Sequence, residues 1–165
     1  MKKLILLFAL LAGGFFSQMT DAQVSVHINI SSQPIWGPVG YDYVDYYYIP
    51  DIEAYYYVPK HRFIYLEGNR WVSRAALPPR YHDFDLYKVD KVVINEPEPY
   101  LHHDVYKAKY ISYRGRHDQA VIRDSHDQRY YVIKDHPEHK HWKEEQKGRG
   151  HKQKEDGNDQ HGDRR

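Results

Sequence analysis

The chain has 165 residues, with 24 Lys+Arg, 23 Asp+Glu and no cysteine. The near balance of charge argues against a strongly basic nucleic-acid-binding protein and against a polybasic membrane anchor. The missing cysteines exclude disulfides, thiolate chemistry and a lipid anchor on an N-terminal Cys.

Residues 1–22 have the pattern of a secretory signal peptide. Two lysines precede an apolar run from Leu4 to Phe16, and a polar stretch with small residues follows. The run is shorter than the roughly 20 residues that a membrane-spanning helix needs. We therefore predict cleavage before Gln23, a periplasmic or secreted location, and no membrane anchor after cleavage. The mature chain then has 22 basic and 22 acidic residues.

Composition divides the rest of the chain into three parts. Residues 23–113 hold 15 of the 17 tyrosines and are predicted to form one domain. Residues 114–133 are more polar, and their two apolar islands, Ala120–Ile122 and Tyr130–Ile133, favour a weak hairpin or an extension of the domain. Residues 134–165 are predicted to be a disordered, His-rich charged tail, because so few apolar side chains cannot offset the entropy lost on ordering.

The first predicted elements of the domain are a strand, a loop and a second extended stretch. Apolar and polar residues alternate across Val24–Ile30, which is typical of a half-buried strand. Proline and glycine mark Ser31–Gly40 as a loop. Tyr46–Tyr48 is extended, and Pro50 ends it.

An antiparallel β-meander is the clearest prediction. Three aromatic-rich runs are separated by two turn sequences, and the runs are Glu53–Val58, Arg62–Leu66 and Arg70–Ser73. A three-stranded meander is marginal by itself, so other elements must cover at least one of its faces.

Two helices are the predicted cover. The first is capped by Asp83 or Asp85 and has three apolar residues at helical spacing, Leu86, Val89 and Val93, although Val92–Ile94 also fits a short strand. The second, within Tyr100–Ser112, has an apolar face formed by Leu101, Val105, Ala108 and Ile111. The predicted fold class is therefore α+β: a short Tyr-rich antiparallel meander packed with one or two helices, followed by a disordered polar tail.

Two stretches of the domain resemble a known group of proteins. They are WGPVGYDYVDYYYIPDIEAYYYV at 36–58 and RFIYLEGNRWV at 62–72. Together they resemble small Tyr-rich exported proteins of Gram-negative bacteria, a family to which no activity is assigned. The resemblance extends over residues 36–113. It implies an envelope or secreted location, and it implies no substrate and no site residue.

Aromatic side chains are the first candidate site. The rings proposed to form a binding surface are Trp36, Tyr41, Tyr43, Tyr56 and Trp71. Consecutive tyrosines in a strand point to opposite faces of a sheet. Either one face is an exposed platform for a sugar, peptidoglycan or a peptide, or both faces are covered within the domain.

Histidines are the second candidate site. His136, His139 and His141 lie within six residues and have carboxylates among them, a set that suits Zn, Ni or Cu(II). Their spacing matches neither a structural zinc site nor a His-Glu-x-x-His helix. His102 and His103 are adjacent, so on a helix they point about 100° apart and cannot easily bind one ion together.

These observations predict a binding protein rather than an enzyme. The sequence has no Gly-x-Ser-x-Gly elbow, phosphate-binding glycine loop or Ser-x-x-Lys motif. We expect an exported, non-enzymatic envelope protein that binds or scaffolds an envelope polymer or protein through its aromatic surface, without a required cofactor or a nucleic-acid partner. The alternative is periplasmic buffering of Zn, Ni or Cu by weak binding to the His-rich tail.

Overall fold

The computed structural model describes residues 28–159, with side chains up to residue 149. The predicted signal peptide and the start of the strand predicted at Val24–Ile30 lie outside the described residues. From Ile28 the chain is coil and then a 3₁₀ turn at Ile30–Ser32, so no strand is formed there. The Asn29 side chain instead bonds both backbone groups of Val44, at 2.7 and 2.9 Å. No helix in the described part of the chain is long and apolar enough to cross a membrane.

A five-stranded antiparallel sheet forms the centre of the fold. Its strands are β1 (Tyr46–Ile49), β2 (Ala54–Tyr57), β3 (Arg62–Glu67), β4 (Arg70–Arg74) and β5 (Val92–Ile94), in the spatial order β4-β3-β2-β1-β5. The α+β class is confirmed, the predicted meander is β2-β3-β4, and the predicted extended stretch is β1.

Strand β5 decides between the two predictions made for residues 83–94. It pairs with β1, with Val92 opposite Tyr48 and Ile94 opposite Tyr46. The predicted helix that begins at Asp83 or Asp85 is therefore wrong. Pairing with β1 satisfies the backbone groups of its free edge, and a helix in this position would leave them without partners.

The first face of the sheet is covered by the loop before β1 and by the segment between β4 and β5. Its buried strand residues include Tyr47, Ile49, Tyr56, Phe63 and Tyr65. Trp36 from the loop and Leu77, Tyr81, Phe84 and Leu86 from the later segment pack against them. The loop approaches so closely that a Cβ on Gly37 would lie 2.7 Å from the Tyr47 hydroxyl oxygen, which explains glycine at this position.

The second face is covered by helix α1 (His103–Lys109) and its flanking 3₁₀ turns, Pro99–His102 and Ile111–Tyr113. Two cross-strand tyrosine pairs form the centre of this face: Tyr46 with Tyr57 and Tyr48 with Tyr55, at 4.7 and 4.9 Å between ring centroids. Both faces of the sheet are therefore covered within the domain, which was one of the two arrangements left open by the sequence.

Helix α1 occupies part of the predicted Tyr100–Ser112 helix, but it presents a different side to the sheet. Leu101, Val105 and Ile111 are 61%, 63% and 53% exposed, whereas Tyr106 is buried. The predicted apolar face is therefore wrong. A tyrosine ring buries more area than an aliphatic side chain, and the Tyr106 hydroxyl donates to Glu96 Oε2 at 2.6 Å, so its burial leaves no polar group unpaired.

Residues 114–133 extend the domain and do not form a hairpin. They contain 3₁₀ turns at Ile122–Asp124 and Gln128–Tyr130, and Val121 makes an isolated bridge to Pro38. Ile122, Tyr130 and Ile133 are buried against Ile30, Ile35 and Val39 of the loop before β1. The two apolar islands therefore pack on that loop and do not pair with each other.

The predicted tail begins later than residue 134. His136 is only 4% exposed, its Nε2 donates to the Ile122 carbonyl oxygen at 3.2 Å, and its Nδ1 accepts from the Glu138 backbone N–H at 3.1 Å. Helix α2 (His139–Asp159) follows where no regular structure was predicted. Among the helix side chains described, Trp142 is the one large apolar residue, so α2 lacks an apolar face that could dock on the domain.

We expect truncation experiments to distinguish the segment around the buried His136 from the C-terminal part of helix α2. A chain that ends at Arg149 should melt at the same temperature as the full chain, because the sequence of residues 150–165 has no apolar side chain to bury. A chain that ends at Lys134 should lose about 1–2 kcal/mol of unfolding free energy, since it loses the two hydrogen bonds that the buried His136 donates to the carbonyl oxygens of Ile122 and Ile133. Calorimetric melting of both truncated chains tests this. Equal melting temperatures for the two would contradict it.

Candidate functional site

Two cavities, one against each face of the sheet, each include one of the predicted tryptophans. We call the first the Trp36 cavity; its volume is about 590 Å³, and its lining includes Gln33, Trp36, Tyr56, His61, Tyr87 and Lys134. We call the second the Trp71 cleft; its volume is about 410 Å³, and its lining includes Leu66, Trp71, Tyr100, His103, Asp104 and Val105. Both volumes are in the range of small-molecule sites.

The loop before β1 places Trp36 over the first face of the sheet. Its ring meets the Tyr56 ring edge to face, with centroids 4.8 Å apart, and the Tyr47 ring at 5.5 Å. The loop is fixed because Tyr47 donates a hydrogen bond to Gln33 Oε1 at 3.0 Å and Gln33 Nε2 donates to the Tyr41 carbonyl oxygen at 3.0 Å. The indole is therefore held in place before any ligand arrives.

Polar groups line the Trp36 cavity beside its aromatic rings. The Tyr56 hydroxyl lies 3.3 Å from His61 Nδ1, and burial raises the pKa of Tyr56, so this hydroxyl is neutral at physiological pH. Lys134, Asp135, Ser31 and Ser32 also line the cavity. The cavity combines aromatic walls with hydroxyl, imidazole and charged groups, which suits a ligand that has both a ring face and hydroxyl or amide groups.

A buried lysine lies beside the Trp36 ring. Lys91 is 2% exposed, its Nζ donates to the Leu86 carbonyl oxygen at 2.7 Å, and this Nζ lies 5.9 Å from the centroid of the Trp36 ring. Burial lowers the pKa of Lys91 to about 8, against the opposing effect of Asp90 and Asp85. The amine is therefore still mostly protonated at pH 7, and its positive charge disfavours a cationic ligand at Trp36.

Two aromatic rings form a corner of the Trp71 cleft. The Trp71 and Tyr100 centroids are 5.7 Å apart and their planes are inclined by 53°. Behind them, Trp71 meets the His103 ring edge to face at 5.1 Å. The Tyr100 hydroxyl donates to Glu98 Oε1 at 2.7 Å, and this bond raises the pKa of Tyr100 to about 12. Tyr100 therefore stays neutral, and a carboxylate lies at the end of its ring.

A charged network anchors the floor of this cleft. His103 Nδ1 lies 3.1 Å from the Tyr55 hydroxyl, and His103 Nε2 donates to Glu53 Oε2 at 3.4 Å. Lys107 donates to the same carboxylate oxygen at 2.9 Å, and Arg114 donates to Glu53 Oε1. The His103 imidazole is thus engaged on both nitrogens while its ring packs against Trp71.

The five predicted aromatic residues do not form one surface. Trp36 and Tyr56 lie together in the Trp36 cavity, whereas Trp71 lies on the opposite face of the sheet. Tyr41 is exposed, and the Tyr43 hydroxyl donates to Asp45 Oδ1 at 2.7 Å. The single aromatic platform predicted from the sequence is therefore replaced by two separate cavities.

The predicted metal ligands are not brought together either. Both ring nitrogens of His136 bond backbone groups, and His139 Nδ1 donates to the Tyr131 carbonyl oxygen at 2.8 Å. His141 lies on the exposed side of α2, 3.6 Å from Glu145. Within residues 28–149 no group of three His, Asp or Glu side chains is placed to hold a metal ion. Burial of His136 in the domain is the reason that this cluster does not form.

Several cavity residues were not predicted as site residues from the sequence. Tyr87 and His61 reach the Trp36 cavity from turns. Tyr100 reaches the Trp71 cleft from the turn before α1, and Asp104 reaches it from the start of α1. The sequence spacing does not predict that Tyr100 and Asp104 lie near Trp71, because β4 and α1 are distant in the chain. The polar run His102-His103-Asp104 is a local feature of the sequence near this cleft, but adjacent residues on a helix point in different directions and do not predict a shared site.

Comparison with protein-family models, with curated proteins and with solved structures found no match. The resemblance to small Tyr-rich exported proteins therefore stays a prediction.

Proposed function

We propose that this chain is an exported, non-enzymatic binding protein whose ligand site is the Trp36 cavity. The single observation that supports this most is the cavity of about 590 Å³ in which two of the predicted binding residues, Trp36 and Tyr56, lie together with Tyr87. The rings are fixed by neighbouring side chains, so the ordering cost on binding is small.

The cavity favours a neutral ligand with a ring face and hydroxyl or amide groups. Aromatic walls contact the faces of such a ring, while Ser31, Ser32 and His61 offer hydrogen bonds. The buried Lys91 ammonium beside Trp36 opposes a cation. A sugar unit of an envelope glycan combines these properties, and the predicted export of the chain would bring the protein to such polymers.

We expect soluble peptidoglycan fragments to bind with a change in Trp36 fluorescence. The protein should be a Trp71→Phe, Trp142→Phe double variant, in which Trp36 is the one remaining tryptophan. Tyr87→Leu should weaken binding about 2- to 10-fold, because it removes one aromatic wall. Fluorescence titration and calorimetry measure both effects.

Tyr41→Leu is the matched control, since Tyr41 is exposed and does not line the cavity. It should leave the affinity unchanged. Disaccharide units without peptide and peptide stems without sugar, titrated separately, show which part is recognised. If neither part nor the intact fragment binds, or if Tyr41→Leu and Tyr87→Leu weaken binding equally, the Trp36 cavity is not the glycan site.

A further inference from the structure

The Trp71 cleft differs from the Trp36 cavity in its electrostatics. Seven aromatic rings of the described residues have a Lys or Arg group over them, and Trp36 is one of these. Neither Trp71 nor Tyr100 has such a partner among the described residues. The negative faces of these two rings are thus not already covered by a Lys or Arg group of the described residues.

One carboxylate lines the same cleft, and a second accepts a hydrogen bond from one of its aromatic residues. Asp104 lines the cleft, is exposed, and forms no ion pair with any described residue. Glu98 accepts the hydrogen bond from the Tyr100 hydroxyl. The basic groups that could neutralise this region, His103 and Lys107, instead bind the Glu53 carboxylate. The lining of the cleft therefore combines aromatic faces with the carboxylate of Asp104, which no basic group of the described residues neutralises.

We propose that the Trp71 cleft is a binding site for a small quaternary ammonium ion. The Trp71 and Tyr100 rings meet at a corner, so one bound cation contacts both faces. Asp104 supplies the opposite charge at the rim, and Leu66 and Val105 contact the methyl groups. The cleft of about 410 Å³ has room for a choline-sized molecule.

This site is independent of the proposed glycan site, because the two cavities lie on opposite faces of the sheet. Loss of ligand binding at one site would therefore leave binding at the other site intact. The Tyr87→Leu variant, which weakens the Trp36 cavity, should bind the ammonium ion as the unmodified chain does.

The test compares choline with its neutral isostere, 3,3-dimethyl-1-butanol, by calorimetry on the full chain. The measurement is made at pH 8, above the ordinary titration range of histidine, because His102 also lines the cleft. Choline should bind at least threefold more tightly than the isostere, since the two have similar shapes and differ in charge. Its affinity should fall as salt is raised. Choline should also shift the indole N–H resonance of Trp71 in an NMR spectrum.

Two variants complete the test. Asp104→Asn keeps the shape of an exposed side chain and should weaken choline binding severalfold without changing isostere binding. Asp83→Asn, another exposed aspartate that does not line the cleft, is the matched control and should have no effect. Equal affinity for choline and isostere, no binding of choline, or equal effects of the two variants would each overturn the proposal.

Discussion

Replacing Tyr47 by alanine is expected to lower the free energy of unfolding by about 3–5 kcal/mol. Tyr47 is fully buried in β1, where its ring contacts Trp36 and its hydroxyl bonds the Gln33 carboxamide. The substitution leaves a cavity at the centre of the first face and an unpaired acceptor on Gln33. Urea unfolding followed by circular dichroism measures the change.

Two further substitutions separate ring packing from the hydrogen bond. Tyr47→Phe keeps the ring and removes the hydroxyl, so we expect a loss of about 1–3 kcal/mol from the unpaired Gln33 oxygen. Tyr41→Ala, at an exposed position, should change stability by less than about 0.5 kcal/mol. If Tyr47→Ala costs no more than Tyr41→Ala, the loop before β1 does not pack on the sheet as described.

The strands could be predicted because their signals are local. Aromatic runs separated by the turn sequences at 59–61 and 67–69 specify short strands and tight turns, and the structure forms β2, β3 and β4 there. Strand β5 was uncertain because Val92–Ile94 has only three residues, too few for period-two alternation to differ from helical spacing. Its pairing with β1 depends on a partner more than 40 residues away in the chain.

The buried side of α1 could not be predicted because hydropathy ranks leucine, valine and isoleucine above tyrosine. In this protein tyrosines on the sheet already bury large areas, and Tyr106, Tyr110 and Tyr113 of the helix region pack against them. Aromatic rings gain additional energy from edge-to-face and stacked contacts. A hydrophobic pattern that counts only aliphatic residues therefore selects the wrong side.

The candidate sites were predicted in residue type but not in arrangement. Trp36, Tyr56 and Trp71 were identified as aromatic candidates, and alternation along a strand implied that rings point to both faces. The sequence could not show that Trp36 folds back over Tyr56 from a loop, nor that Asp104 lies beside Trp71. Both arrangements depend on contacts between distant segments, for which one sequence has no periodic signal.

The same limitation applies to the histidines. His136 follows an island of apolar residues, and the structure buries it by bonding both ring nitrogens to backbone groups. Composition places it in a charged tail, whereas packing places it in the domain. A hydrogen-bonded buried imidazole is a common structural role, and it removes His136 from the predicted metal ligands.

Replacing Glu53 by glutamine is expected to lower the unfolding free energy at pH 7 by about 2–3 kcal/mol, because Glu53 accepts several charge-assisted hydrogen bonds. Glu53 lies in the turn between β1 and β2 with a left-handed backbone (φ +53°). Its carboxylate joins this turn to His103 and Lys107 of α1 and to Arg114. Chemical unfolding of both proteins at several pH values measures the difference.

The difference between the two proteins should depend on pH in a defined direction. Burial alone would raise the pKa of Glu53, but hydrogen bonds from Lys107, Arg114 and His103 outweigh it and lower the pKa from 4.5 to about 2. A carboxyl group whose pKa is lower in the folded state stabilises the fold above its unfolded pKa. The stabilisation by Glu53 should thus be complete above about pH 5 and should decline as the pH falls from 4.5 towards 2.

Glu67→Gln is the matched control for this experiment. Glu67 pairs with Arg74 at 3.6 Å, and both side chains are about half exposed, so water screens the pair. This control should change stability by less than about 0.5 kcal/mol at pH 7 and should show no comparable loss between pH 5 and pH 3. If Glu53→Gln behaves like the control across this range, the carboxylate does not hold α1 to the turn between β1 and β2. The floor of the Trp71 cleft would then be supported by ring packing alone.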